Sequence, residues 1–387
     1  MWKAVGRWFS DYHRYTYHLL VLLCLATSTY GCLLVYSANH YAGGGLRGFI
    51  IQPLAAGVGM LVALLMARVD YADMARLWPV FAVPAVGLML LTYTPLGLNV
   101  TGTDDTAWLG FPIGSQNPWI TFQPSELLKI VFILTFSYHL YTVREHISRL
   151  PTFLLLCLHG AFPALLVFLQ GDDGTALVIA IIFICMLLAS GIKMRYFAIA
   201  GALAAVALPF VWFFVMNNDQ RNRFMILFNP EADLYGKGWQ QWRARIAMAN
   251  GGFFGKGYLK GDFVQNGSVP KGYNDFIFAS TGEELGMLGL LVIILLLAAI
   301  CVRILFVAHH SKDKQGMIIC VGLFGMLAAQ SIMNIGMCVS LLPVIGITLP
   351  FFSAGGTSLL ANFIGIGLVL NVYMHRNRRQ MYLRDDY

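Results

Sequence analysis

The chain has 387 residues, of which 58% are hydrophobic and 12% are charged, and its formal net charge is +7. The core of a water-soluble protein does not need so much apolar surface. Composition therefore excludes an ordinary soluble enzyme and indicates a protein that crosses a membrane several times. No nucleic-acid motif accompanies the positive charge, so we predict no nucleic-acid partner.

Apolar stretches long enough to cross a bilayer recur along the whole chain. In lipid each span must satisfy its own backbone hydrogen bonds, so we expect α-helices of about 17–25 residues. The sequence predicts an all-α polytopic integral membrane protein, with one membrane domain over residues 1–387 and a bundle of about ten transmembrane helices. The predicted spans are 17–36, 48–68, 76–93, 125–142, 151–169, 175–192, 195–217, 286–308, 317–342 and 355–374.

Lys and Arg residues are unevenly distributed between the two ends of the predicted spans. Arg68, Arg144 and Lys193 belong to loops on one side, whereas the loops 94–124 and 170–174 on the other side contain neither residue type. By the positive-inside rule the first side is cytoplasmic. The sequence therefore predicts that both termini are cytoplasmic, in agreement with an even number of spans.

The longest predicted loop, residues 218–285, joins spans seven and eight on the outer side. A loop of this length is expected to be functional or partly folded. Its residues at helical spacing are Trp239, Trp242, Ile246 and Ala249. This pattern predicts an amphipathic helix that either lies on the membrane surface or packs over the bundle. The glycine-rich segment 251–261 that follows is expected to be flexible.

A charged pair stands at the start of the fourth predicted span, in FQPSELLK. Pro124 suits the first turn of a helix, and the helix dipole favours Glu126 there. Lys129 lies three residues later on the same helix face, about a turn and a half inside the span. Either the two side chains form a self-paired couple at the membrane edge, or they line a cavity. A charge at depth costs roughly 2.5–3.5 kcal/mol on insertion scales, which favours the cavity.

Two further charged groups lie on the same side. Asp172 and Asp173 occupy a short turn in QGDDGTAL, where capping the next helix accounts for one aspartate but not for two. Arg221 and Arg223 follow the seventh span in DQRNRF. Such arginines bind phosphate through paired donors or contact lipid headgroups, and spacing alone does not choose between these roles.

The segment GYNDFIFASTGEELG, residues 272–286, brings three carboxylates to the edge of the membrane. We predict that Glu283 and Glu284 start the eighth helix, where the helix dipole stabilises negative charge. Asp275 precedes an apolar run instead. Partial burial is expected to raise its pKa towards the range of a general base. The alternative is a carboxylate that only accepts hydrogen bonds from loop amides.

Several segments of the chain, taken together and in order, resemble one family. They are FQPSELLK, QGDDGT, RNRFMILFNPEAD, GKGWQ, NGGFFGKG, NDFIFASTGEELG, NIGM at 334–337 and LPVIGITLPFFSAGGTSLL at 342–360. Over nearly its whole length the chain resembles the SEDS family (shape, elongation, division and sporulation), whose members include RodA and FtsW.

The resemblance implies a bundle of ten transmembrane helices and a peptidoglycan glycosyltransferase that polymerises lipid II at the outer face of the bacterial cytoplasmic membrane. It also implies a class B penicillin-binding protein as transpeptidase partner, within an elongation or division complex. Asp275 matches the family's essential aspartate. Glu126 and Lys129 match the charged pair of its central cavity. Asp172 matches the acidic residue before the sixth span, and Arg223 the arginine at the start of the large outer loop.

The sequence departs from the family pattern in two places. The middle residue of the usual Gln–Pro–Asp is Gly171, and Asp173 replaces an apolar residue. The segment 101–120 stands where the family has an arginine-containing segment, and it contains no arginine and two extra acids, Asp104 and Asp105. The choice between elongation, division and sporulation therefore stays open.

Polymerisation requires an acceptor sugar hydroxyl to attack the anomeric carbon of a donor whose leaving group is a pyrophosphate. We predict that Asp275 is the general base, a role worth about 10²–10⁴ in rate. The candidates for stabilising the departing charge are Lys129, Arg221, Arg223 and Arg243. Mg²⁺ or Mn²⁺ held by a carboxylate such as Asp172 would serve the same purpose, but no definite cofactor or metal ligand is predicted.

Two other functions are alternatives to the polymerase. A flippase for polyprenyl-linked sugar precursors also uses intramembrane charges. It is expected to place acid–base groups in the cytoplasmic halves of the spans, which contain mainly basic residues at helix ends. A non-enzymatic scaffold of the division or elongation machinery predicts that Asp275→Asn changes nothing.

Overall fold

The computed structural model describes residues 17–40, 45–99, 106–112, 118–228 and 237–376. Within these residues the chain forms α-helices with three short strands. The helices are α1 (His18–His40), α2 (Gly45–Met66), α3 (Tyr71–Arg76), α4 (Trp78–Leu91), α5 (Pro124–Thr142), α6 (Leu150–Leu169), α7 (Asp173–Ser190), α8 (Met194–Phe210, continued by a π-helical turn, Val211–Val215), α9 (Asn218–Phe228), α10 (Lys237–Gly251), α11 (Asp262–Gln265), α12 (Ile277–His309), α13 (Lys314–Cys338) and α14 (Gly356–His375). The strands are β1 (Gly97–Leu98), β2 (Trp108–Phe111) and β3 (Ile120–Phe122).

Ten of the described helices correspond one to one with the predicted spans. By length and composition, α1, α6, α7, α8, α12, α13 and α14 are able to cross a membrane. The apolar parts of α2 and α4 are shorter, and α5 has 19 residues that include two charges. The prediction of an all-α polytopic membrane protein is confirmed.

Successive spans alternate in direction, so their connections gather at two ends of the bundle. We call one of them the loop-rich end; its described connections lie within 92–123, 170–172, 216–276 and 339–355. The opposite end has short connections, within 67–77, 143–149, 191–193 and 310–313. Arg68, Arg144 and Lys193 belong to the opposite end. All the predicted functional residues that the structure describes are on helices or loops of the loop-rich half.

The centre and the edge of the bundle differ sharply in burial. In α13 and α14, 72% of the apolar window is buried, whereas none of the window of α8 is buried. Residues 198–211 of α8 are all exposed and almost all apolar. A helix that is apolar all round and exposed all round needs lipid around it. The span α8 is therefore the outermost element, and α13 and α14 form the core.

The connection between α4 and α5 contains a feature that the sequence did not predict. β1, β2 and β3 form a small antiparallel sheet, with Leu98 paired to Trp108 and Gly110 paired to Thr121. Strands of two to four residues are too short to show an alternating pattern. Asp104 and Asp105, the two extra acids of this connection, lie outside the described residues.

The large loop is largely folded, and the predicted helix is present as α10. The face that packs on the bundle carries Gln241, Ala244 and Ala247, which are buried, while Trp242 is 46% exposed. Small residues let α10 approach α12 closely, and a Cβ on Gly251 would lie 1.9 Å from the carbonyl oxygen of a facing residue. As one of the two predictions had it, α10 packs over the bundle, against α12.

The glycine-rich segment is fixed rather than flexible over residues 251–257. α12 is interrupted at Gly286, where φ is 66° and ψ is −164°. The segment replaces the helical hydrogen bonds that this break removes. The bonds are Lys256 N to Glu283 O (2.9 Å), Gly257 N to Glu284 O (2.9 Å) and Met287 N to Gly252 O (3.0 Å). The start of α12 is thereby coupled to the large loop.

Candidate active site

Asp275 lies in the loop immediately before α12, at the loop-rich end. It is 9% exposed, and the next three residues, Phe276, Ile277 and Phe278, are at most 2% exposed. The apolar run thus draws the carboxylate towards the core, as predicted. The backbone carbonyl of Asp275 accepts a hydrogen bond from Asn334 Nδ2 of α13 at 2.8 Å, which fixes the position of the segment against the most buried helix pair.

The loop between α13 and α14 holds the residues around Asp275. Its contacts are Ile347 O with Asn334 Nδ2 (2.6 Å), Ser353 Oγ with Asn274 O (2.7 Å) and Ala354 N with Tyr273 O (2.8 Å). Gln52 of α2 binds the same loop from the other side, donating to Ser353 O at 3.0 Å and accepting from Gly355 N at 3.3 Å. This loop therefore links α2 and α13 to the Asp275 segment.

Gln123 connects the start of α14, which follows that loop, to the acidic turn before α7. Its backbone amide donates to Thr357 Oγ1 at 3.4 Å, and its side-chain amide donates to Asp172 Oδ2 at 3.0 Å. Asp172 Oδ1 accepts from Thr175 N at 2.9 Å and is the N-cap of α7. Asp172 is therefore the aspartate that caps the helix, and it is also joined to the start of α5.

Asp173 is the aspartate that capping does not explain, and its partners are on α9. Its carboxylate lies 3.6 Å from Arg223 Nη1, and both oxygens accept from Gln220 Nε2 at 3.0 Å. The side chains of Asp173 and Arg223 are 22% and 21% exposed. The departure from the family pattern at Asp173 thus supplies a partner for the arginine that the family pattern highlights.

Glu126 and Lys129 form a buried ion pair. Lys129 Nζ lies 2.9 Å from Glu126 Oε1, and the side chains are 1% and 6% exposed. The two side chains are self-paired, as one of the two interpretations predicted, and they are buried in the bundle. The two charges compensate each other inside the bundle, where an unpaired charge costs several kcal/mol.

Further polar side chains lie in the same layer of the bundle. A Cβ on Gly365 of α14 would lie 3.4 Å from Ile130 of α5 and 3.8 Å from Met326 of α13, so these positions face each other. Polar residues lie one helical turn from these positions, towards the loop-rich end, on each of the three helices α5, α13 and α14. They are Glu126, Gln330 and Asn362.

The amide of Asn362 is buried without a hydrogen-bond partner. The residue is 1% exposed, and neither Nδ2 nor Oδ1 is bonded within the described residues. Gln330 Oε1 and Ser125 Oγ are also buried and unbonded there. An unsatisfied buried polar group costs about 1–3 kcal/mol. The polar layer beside the ion pair therefore has capacity to bind polar groups that the fold itself does not use.

Glu283 and Glu284 do not start a helix, contrary to the sequence prediction. Both are buried within α12, before its break. Glu283 accepts from Phe263 N at 2.9 Å and Val264 N at 2.8 Å, so it caps α11 from another element. Glu284 accepts from Ser37 Oγ at 2.5 Å. Long-range bonds of this kind leave no local signal in the sequence.

Arg221 and Arg243 have local partners of their own. Arg221 donates to the carbonyl of Phe213 at 3.0 Å, at the end of the α8 span. The guanidinium of Arg243 lies 5.4 Å, 5.9 Å and 6.0 Å from the ring centroids of Trp239, Phe263 and Trp242. Cation–π contacts of this kind fix Arg243 against the large loop.

The described residues provide no preformed cluster of side chains that would hold a divalent cation. Among the described residues no group of three His, Cys, Asp or Glu side chains is arranged to hold a metal ion. Both carboxylate oxygens of Asp172, the predicted ligand, accept hydrogen bonds from Gln123 and Thr175. The positive charge at the site comes from Lys129 and the arginines.

The order of these segments along the chain and their arrangement in space agree with a known family. The sequence matches the family model FtsW/RodA/SpoVE, described as cell cycle protein, over residues 17–378. The chain belongs to this family. It is 31% identical over 357 residues to the peptidoglycan glycosyltransferase MrdB of Escherichia coli K12, across 92% of this chain and 93% of that one. It is 32% identical over 365 residues to the probable peptidoglycan glycosyltransferase FtsW of Geobacter metallireducens, across 92% and 93%.

Solved structures agree with the family assignment. A chain of a peptidoglycan synthase complex superimposes with a TM-score of 0.78 at 25% identity, across 94% of this chain and 99% of that one. The rod shape determining protein RodA of Thermus thermophilus superimposes with a TM-score of 0.66 at 25% identity, across 94% and 98%. The FtsW/RodA/SpoVE fold thus covers nearly the whole chain.

The structure connects three of the seven predicted site residues, namely Asp275, Asp172 and Arg223. Contacts run from the Asp275 segment through the α13–α14 loop to the start of α14. From there Thr357 and Gln123 reach Asp172, and Asp173 beside it binds Arg223. The uncharged members of this network were not predicted from the sequence. They are Gln52, Gln123, Gln220, Asn334, Ser353 and Thr357. Gln123 and Asn334 stand inside the family segments FQPSELLK and NIGM, which was the signal available for them.

Proposed function

We propose that the chain is a peptidoglycan glycosyltransferase that polymerises lipid II. The observation that carries the proposal is the buried Asp275, whose segment is held by α13 and the α13–α14 loop, with α14 and Gln123 leading on to the polar turn before α7. Membership of the FtsW/RodA/SpoVE family and the curated relatives named peptidoglycan glycosyltransferases support it.

In the proposed reaction Asp275 acts as general base. Its carboxylate takes the proton of the acceptor sugar hydroxyl as that oxygen forms a bond to the anomeric carbon of the donor. The bond from that carbon to the pyrophosphate breaks at the same time, and polyprenyl pyrophosphate leaves with the electron pair. A single displacement inverts the sugar, so an α-linked donor gives a β-linked glycan. General-base catalysis of this kind typically contributes about 10²–10⁴ in rate.

Arg223 is the leading candidate for stabilising the departing pyrophosphate. Lys129 is neutralised by Glu126, and Arg243 is stacked among aromatic rings. Arg223 contacts its carboxylate through one nitrogen at 3.6 Å and keeps part of its surface exposed. A guanidinium that retains free donors binds phosphate oxygens through paired hydrogen bonds. Arg221 and Arg243 then contribute a positive potential rather than direct contacts, whereas the charge of Lys129 is compensated by Glu126.

The polyprenyl tail has a suitable groove on the flank of the bundle. A cavity of about 960 Å³ between α4, α5 and α6 is lined mainly by apolar residues, including Val86, Leu128 and Phe162. Leu128 is the immediate neighbour of Lys129 on α5. A tail in this groove would place its headgroup near the buried ion pair, at the loop-rich end. The groove is therefore part of the proposed substrate site.

The proposal places the loop-rich end outside the bacterial cytoplasmic membrane and both termini in the cytoplasm. Basic residues at the opposite end support this orientation through the positive-inside rule. The partner is a class B penicillin-binding protein, consistent with the fold shared with a chain of a peptidoglycan synthase complex. That partner would cross-link the strands that this chain polymerises.

The test is polymerisation of lipid II by the purified protein with its cognate class B penicillin-binding protein, with glycan chains separated on a gel. The proposal predicts chains from the wild type and none when lipid II is omitted. If the wild type makes no chains with the partner present but moves lipid II across vesicle membranes, the chain is a flippase and the polymerase proposal is rejected.

A further inference from the structure

We propose that Asp173 is a positioning residue for Arg223, which makes α9 part of the active site. The inference rests on the proposed function, in which Arg223 binds the pyrophosphate. Asp173 begins α7, while Arg223 follows the α8 span. The interaction therefore joins two elements that a whole transmembrane span separates in the chain.

The span α8 does not fix the position of α9 at the loop-rich end of the bundle. Residues 198–211 are exposed all round, so the span does not pack against its neighbours there. At the opposite end the span is anchored, because Tyr196 donates from its hydroxyl to Ser148 O at 2.7 Å and its ring packs on Phe153. The position of α9 at the loop-rich end must therefore be set by contacts of α9 itself.

The side chain of Gln220 holds the start of α9 against Asp173. Asn217 and Gln220 form a reciprocal capping box at the start of α9, with Gln220 Oε1 accepting from Asn217 N at 3.1 Å and Asn217 Oδ1 accepting from Gln220 N at 2.8 Å. This box fixes the side chain of Gln220. Its Nε2 then donates to both oxygens of Asp173 at 3.0 Å. The start of α9 is thereby docked on the start of α7.

Arg223 lies one turn further along α9 and contacts the same carboxylate of Asp173. Its Nη1 lies 3.6 Å from Asp173 Oδ2, and its Nε makes no hydrogen bond within the described residues. A single long contact orients the guanidinium without saturating its five donors. Asp172, the neighbour of Asp173, is bonded to Gln123 in the network that reaches Asp275. Asp173 therefore sets the distance between Arg223 and that network.

The experiment is a double-mutant cycle on lipid II polymerisation with the partner protein, using Asp173→Ala, Arg223→Gln and the double variant. A displaced contact to the reacting group lowers kcat/KM by about tenfold to a hundredfold, and we expect about tenfold for Asp173→Ala. The decisive result is non-additivity, because the double variant should be no slower than Arg223→Gln alone. If Arg223→Gln is too slow to measure, Arg223→Lys takes its place in the cycle.

Two controls separate positioning from folding. Asp173→Glu should recover most of the activity, since it keeps the charge and both acceptors. Asp73→Ala removes an exposed contact to Arg76 of 3.7 Å at the opposite end and should leave kcat/KM unchanged. Additive losses in the cycle, or an Asp173→Ala variant as fast as wild type, would overturn the inference. Failure of the wild type to make chains would instead reject the proposed function.

Discussion

Two side chains of the candidate site depend on partners that are distant in sequence. Asp172 and Asp173 are adjacent, yet one binds Gln123 and the other binds Gln220, which lie 49 and 47 residues away. The sequence showed that capping accounts for a single aspartate. It could not assign the other, because its partners come from a different element and leave no spacing signal.

Removing one member of the Glu126–Lys129 pair should be more damaging to stability than removing both. Glu126→Gln leaves the buried ammonium uncompensated, which costs about 3–5 kcal/mol. The double variant Glu126→Gln/Lys129→Met should recover most of that stability. Thermal unfolding in detergent measures it, and a double variant less stable than Glu126→Gln would contradict the buried-pair geometry.

Asn362 offers a test of whether the polar layer serves substrate rather than fold. Its amide is buried and unbonded within the described residues. Asn362→Leu removes that unsatisfied group at similar volume, so the unfolding temperature should stay equal or rise while lipid II polymerisation falls about tenfold or more. Ala361→Leu on the neighbouring face is a poor control because it adds volume. Asn371→Leu is preferable, since its amide donates to Met66 O at 2.6 Å and its loss should lower stability.

At the scale of elements, the sequence identified helices better than their orientation. The spacing of Trp239 and Trp242 predicted α10 correctly, but close approach to α12 requires small residues on the buried face. Hydrophobic periodicity does not predict such packing, because it assigns the buried face of a helix from the positions of its large apolar residues. The contact of residues 251–257 with the break in α12 could not be predicted from the sequence either. It is made by backbone hydrogen bonds, which many different side chains would allow.

Two glycines of that segment should respond differently to alanine. Gly252 and Gly255 both have positive φ, 60° and 81°, which costs alanine about 1–2 kcal/mol. A Cβ on Gly255 would also lie 2.2 Å from Glu284 O, whereas a Cβ on Gly252 meets nothing within 4 Å. Gly255→Ala should therefore lower the unfolding temperature and polymerisation well beyond Gly252→Ala. Equal effects would show that the segment is not docked on α12.

At the scale of the whole molecule, hydropathy was sufficient to predict the ten-helix bundle. A bilayer imposes both length and composition on each span, so the signal is strong even in one sequence. The sheet between α4 and α5 and the arrangement of the large loop depend on tertiary contacts instead. The candidate site depends on both kinds of information. Its charged residues were predicted from the sequence, whereas its Asn and Gln residues were not.

The proposed orientation predicts which loops are accessible from outside. Asn266, in the large loop, and Lys312, at the opposite end, are both exposed. In right-side-out membrane vesicles, Asn266→Cys should react with a membrane-impermeant maleimide and Lys312→Cys should not. The wild type measures the background of the seven native cysteines. Labelling of Lys312→Cys alone would reverse the topology and reject an outward-facing site.

The most direct test of the account is lipid II polymerisation by Asp275→Asn with the partner protein present. Loss of the general base should lower the rate by about 10²–10⁴, while the unfolding temperature stays near that of the wild type. Asp262→Asn, an exposed carboxylate of the same large loop, is the matched control and should polymerise normally. Wild-type glycan chains from Asp275→Asn would contradict the central claim that this carboxylate is the catalytic base.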